Sequence, residues 1–196
     1  GIAESKRALV EEQIGFIISK LERLAFRSTF DPVTGKGTVA YNLSLVREDD
    51  LPGVTAAFDE VASAGYGFLN TYRVIETDPR TPDGHIGIMT ACSITLDGVL
   101  QKMGIPTRLE YAGRIAVDEN GSASFLDLIG YRGTSVDPLH LFVSAGLTSI
   151  NRLVTAGAGV ALANVRAVPS AAGSRVEEVV GLMEERGFNF PARRGI

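Results

Sequence analysis

An internal repeat that relates the two ends of the chain constrains its fold more than any other feature. Residues 35–68 align on residues 157–190 without a gap, at a shift of 122 positions. The matched positions include turn, strand and aromatic residues: Gly35 with Gly157, Gly37 with Gly159, Asn42 with Asn164, Val54 with Val176, Gly65 with Gly187 and Phe68 with Phe190. Each copy has the pattern of a Gly-x-Gly turn, a strand, a helix, a Gly-aromatic pair and a second strand. We therefore expect two copies of one substructure.

A second and weaker repeat relates the middle of the chain to itself at a shift of 42 positions. Residues 92–95 align on residues 134–137, and residues 104–105 align on 146–147. Both copies indicate a strand, a short break with hydroxyl-bearing residues, and a helix. The four units then follow one another as A, B, B′ and A′, which is the order of a pseudo-twofold domain. Coincidence between generic strand–helix units is the alternative explanation of both matches.

The remaining pattern alternates between helices and strands. Predicted helices cover residues 4–27, about 50–64, 94–103, 136–155 and 174–186, and predicted strands cover 38–46, 68–76, 85–89, 113–117, 124–131 and 160–168. An Asn120-Gly121 turn between two alternating segments predicts a β-hairpin, which argues against a purely parallel sheet. The predicted fold class is therefore α+β, or mixed α/β: a pseudo-twofold domain of repeated strand–helix units with an internal β-hairpin.

Composition narrows the class of protein. The chain has 196 residues, a formal net charge of −4 and a single cysteine. A surface that grips DNA needs a basic excess, which this sequence does not have. One cysteine cannot form an internal disulfide, and the apolar runs are too short to span a bilayer, so we expect a cytoplasmic protein.

Catalytic motifs are incomplete throughout the chain. Residues 133–137 resemble a nucleophile elbow without its final glycine. Residues 35–40 match GxGxxA but lead into a predicted strand, whereas the dinucleotide-binding mechanism needs a helix. His85 and His140 lack the HxxxH or HExxH partners of a zinc site, and Cys92 has no evident histidine partner. We therefore predict no catalytic residue, no metal site and no enzymatic activity.

Two predicted helices begin after small, hydroxyl-bearing residues, at Cys92-Ser93 and at Thr134-Ser135. A helix N-terminus presents free N–H groups and the positive end of the helix dipole, so it can bind a carboxylate or a phosphate. Two such ends facing each other would suit a small dianion, with Arg132 as a bidentate charge partner. In the alternative interpretation, Ser93 and Ser135 are helix caps and Arg132 is a solvated surface charge.

Four segments carry a resemblance to a known family: GFIISKLERLAFRSTFDPVTGKGTVAYNLSLV, TACSITLDGVLQKMGIP, LIGYRGTSVDPLHLFVSAGLTSI and GAGVALANVRAVP. In this order they resemble the motifs of the regulatory domain of the NrpR-type nitrogen repressors, which are chiefly archaeal. The resemblance extends from about Gly15 to Phe190. It implies that residues 1–14 are a linker from an absent N-terminal winged-helix domain and that residues 15–196 are the regulatory domain.

The resemblance also implies a function, namely effector sensing and dimerisation in a transcriptional repressor of nitrogen metabolism genes. The effector would be 2-oxoglutarate, a small dicarboxylate that relieves DNA binding, and no further cofactor is implied. The domain would form a homodimer, would reach DNA only through the winged helix, and would not contact a membrane.

On the family's motif strings we expect eight residues at the effector site: Thr90, Cys92, Ser93, Thr95, Arg132, Thr134, Ser135 and, as a weaker candidate, Lys36. Bound 2-oxoglutarate would bridge the two halves and move the helical segment at residues 4–27. Two alternatives stay open. One is a small-molecule enzyme that uses the same pocket. The other is a ligand-free dimerisation or co-regulator module, which predicts a large exposed apolar patch and a pocket too closed for a dianion.

Overall fold

The computed structural model describes residues 15–76 and 78–190, which form six helices and six strands. The helices are α1 (Ile17–Arg27), α2 (Leu51–Ser63), α3 (Ile94–Lys102), α4 (Pro138–Ser144), α5 (Ile150–Ala156) and α6 (Gly173–Glu184). The strands are β1 (Tyr41–Arg47), β2 (Tyr72–Ile75), β3 (His85–Ala91), β4 (Arg108–Val117), β5 (Ala123–Gly130) and β6 (Gly159–Ala167). Short 3-10 turns, Glu48–Asp50 and Ser170–Ala172, precede α2 and α6. The predicted linker at residues 1–14 lies outside the described residues.

The strands form two antiparallel sheets of three strands each. In the first sheet β3 lies between β1 and β2, with Tyr41 opposite Ala91. In the second sheet β4 lies between β5 and β6. The predicted hairpin between β4 and β5 is confirmed, and Gly121 closes its turn with an N–H that donates to the Asp118 carbonyl at 2.9 Å.

The longer repeat is visible as equivalent elements at the same shift. The first 3-10 turn and α2 lie 122 positions before the second 3-10 turn and α6. The Gly35 N–H donates to the Asp31 carbonyl at 2.8 Å, and the Gly157 N–H donates to the Leu153 carbonyl at 3.0 Å. Both glycines have a left-handed backbone, with φ of 67° and 69°. The mixed α/β class with repeated strand–helix units is therefore confirmed.

The shorter repeat is present in the helices but not in the strands. The Ile105 N–H donates to the Leu100 carbonyl, and the Leu147 N–H donates to the Phe142 carbonyl. Helices α3 and α4 therefore end in the same kind of turn, 42 positions apart. The strands before them differ, because β3 is the central strand of the first sheet whereas β5 is an edge strand of the second.

The stretch predicted as mostly helical, residues 136–155, is helical but interrupted in the middle. Two short helices, α4 and α5, occupy this stretch. Gly146 separates them with a φ of 65°, a conformation that an L side chain rarely adopts and that a helix cannot contain. The helical periodicity continues across this glycine, which is why the pattern suggested one element.

The segment predicted as helical over residues 4–27 is described only from Gly15 onward, and β2 begins later than its predicted strand. Of the helix predicted over residues 4–27, the structure shows α1 from Ile17, after Gly15 with a φ of 69°, and residues 4–14 lie outside the described part. The strand predicted over residues 68–76 begins at Tyr72. Leu69 forms an isolated bridge with Phe188 instead, so a tertiary contact replaces the strand.

The last described residues, 188–190, pack against residues 67–69 at the end of the first repeated unit. We call this arrangement the chain-end clasp (residues 67–69 with 188–190). The Phe188 ring lies 5.1 Å from the rings of Phe30 and Phe68. Asn189 donates from its backbone to the Phe68 carbonyl at 2.8 Å and from its side chain to the Gly67 carbonyl at 2.9 Å. These contacts place the ends of the two repeated units side by side.

Candidate functional site

The loop between β3 and α3 is shorter than the sequence indicates. Thr90 and Ala91 pair with β1 as the last residues of β3, so Cys92 and Ser93 form the whole connection. The Cys92 N–H donates to the Ala40 carbonyl at 2.9 Å, which continues the strand pairing into the loop. Ser93 directly precedes α3, but its side chain makes no capping hydrogen bond.

Two side chains of β6 bind Ser93 instead. The Ser93 hydroxyl accepts a hydrogen bond from Nδ2 of Asn164 at 3.1 Å and from Nη2 of Arg166 at 3.3 Å, and the Ser93 carbonyl accepts from the same Nη2 at 3.0 Å. The guanidinium also binds Asp97 of α3, with Nε at 2.9 Å and Nη2 at 2.8 Å from Oδ2. The side chains of Asp97 and Arg166 are 5% and 14% exposed. A buried ion pair therefore ties the first turn of α3 to β6.

Tyr131 extends this network toward the start of α4. Its side chain is buried, and its hydroxyl donates to Oδ1 of Asn164 at 2.8 Å. Burial, reinforced by the charge of Asp137, raises the pKa of the Tyr131 hydroxyl well above its ordinary value. Burial also raises the pKa of the Cys92 thiol. Cys92 packs against the core cluster that contains Tyr131, and Ser93 and Tyr131 both bind Asn164, so the Cys92-Ser93 loop and Tyr131 lie together.

Residues 132–135 form an exposed segment beside this network. Arg132 is exposed and makes no hydrogen bond or ion pair with any residue that the structure describes. The Thr134 hydroxyl accepts from the Val136 N–H at 3.2 Å and donates to the Val136 carbonyl at 3.0 Å. Ser135 is half-buried. This segment therefore carries one uncommitted cation next to two small hydroxyl side chains.

The N-terminus of α4 differs from the prediction. The helix begins at Pro138, and Asp137 caps it by accepting the Leu139 N–H on Oδ1 at 2.9 Å. Ser135 is therefore not the cap, because it lies two residues too early. A carboxylate already compensates the positive end of α4, so this helix end does not attract a second anion.

Three predicted site residues lie apart from this network. Thr95 is fully buried, and its hydroxyl accepts from the Ala40 N–H at 3.1 Å. Thr90 lines a cleft of about 200 Å³ between α2, the loop before β2 and the end of β3, where Phe58, Phe68 and Tyr72 are among its neighbours. Lys36 lies in an exposed turn, where its carbonyl accepts from the Asp31 N–H. The structure thus brings Cys92 and Ser93 close to residues 131–137 but not these three.

Sequence reasoning missed four residues that organise the site: Tyr131, Asn164, Arg166 and Asp97. The sequence contains one signal, and it concerns Asn164, which aligns with Asn42 in the longer repeat. An asparagine kept at the same strand position in both copies indicates a side chain that needs a hydrogen-bond partner when it is buried. Asp97 and Arg166 are far apart in sequence. No spacing rule could have paired them before the fold was known.

Helix α1 contacts both segments of the site. The Ile17 N–H donates to the Thr134 carbonyl at 2.9 Å. Further along, the Ala25 carbonyl lies so close to Gly98 of α3 that a Cβ at that glycine would be 2.4 Å from the carbonyl oxygen. The first turn and the last turn of α1 therefore touch the two elements that carry the candidate residues.

The described residues contain neither a metal cluster nor a membrane-spanning helix. Within residues 15–76 and 78–190, no group of three His, Cys, Asp or Glu side chains is arranged to hold a metal ion. Of the helices described, none has the length and apolar character needed to cross a membrane.

Inside this mixed α/β domain, a buried polar network ties α3 to β6. Residues 14–195 match the family model described as NrpR regulatory domains NRD1 and 2. The chain belongs to the family of NrpR regulatory domains.

Curated relatives carry matching names. Over 191 residues the chain is 38% identical to the global nitrogen regulator NrpRI of Methanosarcina mazei, a match that covers 96% of this chain and 59% of that protein. It is 26% identical to the global nitrogen regulator NrpR of Methanococcus maripaludis, over 92% of this chain and 32% of that protein. The chain therefore spans less than two thirds of the length of each of these relatives, and both are named as regulators.

A solved structure has the same fold. The crystal structure of a nitrogen repressor-like protein from Methanococcus jannaschii superimposes with a TM-score of 0.73 at 25% sequence identity. The superposition covers 86% of this chain and 70% of that chain.

Proposed function

We propose that this domain senses 2-oxoglutarate and, as a homodimer, transmits the binding event to the DNA-binding part of a nitrogen repressor. Membership of the NrpR regulatory family supports the regulatory role. The proposed effector bears two carboxylates, so its site needs at least one free cation and several hydrogen-bond donors.

The chemistry around residues 132–135 suits such a ligand. Arg132 is exposed and uncommitted, so its guanidinium can bind one carboxylate through two parallel hydrogen bonds. Before the start of α3, the Ser93 hydroxyl accepts hydrogen bonds from Asn164 and Arg166 and keeps its own hydrogen to donate to the other carboxylate. Arg166 contributes less, because Asp97 already neutralises it.

The observation that carries the proposal is the position of α1. This helix binds the carbonyl of Thr134 through its first residue and packs on Gly98 of α3 through its last turn. A ligand that draws residues 132–135 and the start of α3 together must therefore shift or tilt α1. Since α1 lies near the N-terminal side of the domain, it is the element that would transmit the change.

Linkage sets the size of this effect. A ligand shifts a two-state equilibrium only by the difference between its affinities for the two states. A coupling free energy of about 1–3 kcal/mol would weaken operator binding roughly 5- to 150-fold.

Isothermal titration of the chain with 2-oxoglutarate tests the proposal, with glutamate and succinate as comparison ligands. We expect saturable binding of 2-oxoglutarate that is at least about tenfold weaker in Arg132→Ala, because a bidentate charge-assisted contact is lost. Ser93→Ala should also weaken binding.

Arg47→Ala is the matched control. Arg47 is an exposed arginine at the end of β1 with a long 4.0 Å contact to Asp49, so its removal should leave the affinity unchanged. No binding by the folded chain at millimolar 2-oxoglutarate, or an equal loss in Arg47→Ala and Arg132→Ala, would refute the proposed site.

A further inference from the structure

Strand β5 is an exposed and unusually apolar edge of the second sheet. It pairs with β4 on one side and has no strand on the other among the described residues. Phe125, Leu126 and Leu128 are 50%, 49% and 48% exposed. Natural sheets usually protect an edge strand with charged residues or proline. The three large exposed side chains of this edge are all apolar instead.

The apolar surface continues across the outer face of the sheet. The side chains of Phe125 and Leu128 lie over Gly113 of β4, since a Cβ at that glycine would be within 2.9 Å of both. Tyr111, two residues earlier on β4, is 42% exposed and lies opposite Gly130. Gly113 therefore leaves room for the two β5 side chains to form one layer with Tyr111.

Exposed apolar side chains also lie at the end of α4, next to β4. Arg114 of β4 donates from Nη1 to the Leu147 carbonyl at 3.2 Å, which places the end of α4 beside the strand. Leu147 is 41% exposed, and Val143 in α4 is 55% exposed. We call the whole surface the apolar band; its residues are Tyr111, Phe125, Leu126, Leu128, Val143 and Leu147.

The charge of the band suits an identical partner. Its one carboxylate, Asp127, forms an ion pair with Arg114 of the same chain. Two copies of a surface that carries net charge repel each other, whereas two apolar surfaces without net charge do not. A twofold contact places each residue of the band opposite residues of the same band, so this neutrality matters for a second copy of the chain.

The area of the band also suits a dimer. Six large side chains that are each about half exposed offer on the order of 500 Å² of solvent-accessible apolar surface. A standard interface buries about 800 Å² per partner, of which about 65% is apolar in homodimers. The band therefore supplies about the apolar area that one subunit of a homodimer needs.

The bulge in β5 bears on how a second copy could contact this edge, by side-chain packing or by extending the sheet. The register of β4 with β5 shifts so that Arg114 lies opposite Asp127 and Ile115 lies opposite Phe125, which leaves Leu126 as the extra residue. A bulge interrupts the regular row of backbone groups on an edge strand. A second copy is thus expected to contact the side chains of the band and not to extend the sheet.

We infer that the apolar band is the surface through which two copies of this chain associate, by isologous packing of β5 and the end of α4. This inference rests on the proposed function in that it names the partner surface of the proposed homodimer. It does not depend on which effector the domain binds.

Sedimentation equilibrium of the chain at micromolar concentration tests the inference. We expect a mass of twice 20.8 kDa for the natural sequence. The double variant Leu126→Lys/Leu128→Lys should be monomeric or at least about 100-fold weaker in self-association, because it buries two charges in each subunit. Leu45→Lys is the matched control, since Leu45 is a 42% exposed leucine on the edge strand of the first sheet, and it should remain dimeric.

A natural chain that stays monomeric at tens of micromolar would overturn the inference. So would a double variant that associates as tightly as Leu45→Lys. Titration of the double variant with 2-oxoglutarate separates the two proposals. A monomer that binds the ligand supports both the inference and a site within one chain, whereas an intact natural dimer without ligand binding refutes the effector proposal alone.

Discussion

Arg166 reaches three groups of α3 and its preceding loop with a single guanidinium. It pairs with the carboxylate of Asp97 and donates to both oxygens of Ser93. Because the pair is almost buried, each charge depends on the other for the stabilisation that water would otherwise provide. The contact therefore fixes the position of the first turn of α3 relative to β6.

Removing one partner of this pair should be strongly destabilising. We expect Asp97→Asn to lower the free energy of unfolding by about 3 kcal/mol, because the guanidinium of Arg166 stays buried without its counterion. Urea denaturation measures the change. In the matched variant Glu110→Gln the lost partner is Arg108, whose side chain is 63% exposed, so the loss should be below about 1 kcal/mol. Equal losses would contradict the assignment of Arg166 and Asp97 as a structural pair.

The buried thiol of Cys92 should make the stability of the domain depend on pH. Burial raises the pKa of its thiol, so the folded chain keeps the proton above the ordinary thiol pKa of about 8.5. In the unfolded chain the thiol loses its proton above about pH 8.5, which favours unfolding. The free energy of unfolding is therefore unaffected by this thiol below about pH 8.5, and it decreases as the pH rises toward the pKa of the folded chain. We expect the stability of the natural chain to fall more steeply between pH 8.5 and 10 than that of Cys92→Ser. Urea midpoints measured across this range test the expectation, and identical slopes would refute it.

At the residue scale, local patterns identify candidate residues but not their surroundings. Cys92 and Ser93 are candidates because small polar residues before a helix have a recognisable pattern, and Cys92 packs against the core cluster that contains Tyr131. Thr95 fits the same pattern, but its hydroxyl binds the backbone of Ala40 across the core. Whether a threonine in the first turn of a helix faces a cleft or another strand depends on tertiary packing, which local spacing does not encode.

At the scale of elements, the contact between α1 and α3 depends on one glycine. Gly98 lies in the middle of α3, and a Cβ there would be 2.4 Å from the Ala25 carbonyl oxygen and 3.0 Å from Cβ of Ser28. A real Cβ is essentially never 2.4 Å from a backbone oxygen, so the two helices would have to move apart. Glycine at this position therefore lets the backbone of the two helices approach more closely than any other residue would allow.

Substitution of this glycine should separate the two helices. We expect Gly98→Ala to lower the free energy of unfolding by about 1–3 kcal/mol, although alanine ordinarily favours a helix. Gly181→Ala is the control, because Gly181 lies within α6 with nothing within 4 Å of the added Cβ, and this variant should gain about 0.5–1 kcal/mol. Opposite signs in urea denaturation are expected. A stabilised Gly98→Ala would show that α1 does not pack closely on α3.

Elements with strong local signals could be predicted closely. Helix α3 and helix α2 agree with their predicted limits to about one residue at each end, and the hairpin follows from its Asn-Gly turn. The stretch from 136 to 155 is mostly helical as predicted, but the pattern does not show its division, because Gly146 interrupts the helix without interrupting its apolar periodicity. The start of β2 failed because Leu69 pairs with Phe188, a residue from the other end of the chain.

At the scale of the whole molecule, the chain-end clasp unites the two repeated units. Phe188 is buried between Phe30 and Phe68 and belongs to the cluster that includes Val179 and Met183 of α6. Arg186 adds a hydrogen bond from Nε to the Pro32 carbonyl at 2.9 Å. The clasp therefore connects the first turn of the domain, its middle and its last helix.

The clasp should carry a large share of the stability of the domain. We expect Phe188→Ala to lower the free energy of unfolding by about 3–5 kcal/mol, because it leaves a cavity between the rings of Phe30 and Phe68. Phe26→Ala provides the comparison, since Phe26 is 80% exposed and its loss should change stability by no more than about 0.5 kcal/mol. Thermal and urea unfolding of both variants measure the difference. A Phe188→Ala variant as stable as Phe26→Ala would contradict this role.

The clasp also has a consequence for the order of folding during synthesis. Asn189 binds Gly67 across 122 positions of sequence, so this contact has a very high contact order and forms late. A ribosome that has synthesised only the first half of the domain exposes the rings of Phe30 and Phe68 without their partner. These rings stay uncovered until Phe188 leaves the exit tunnel, and in this interval aggregation competes with folding.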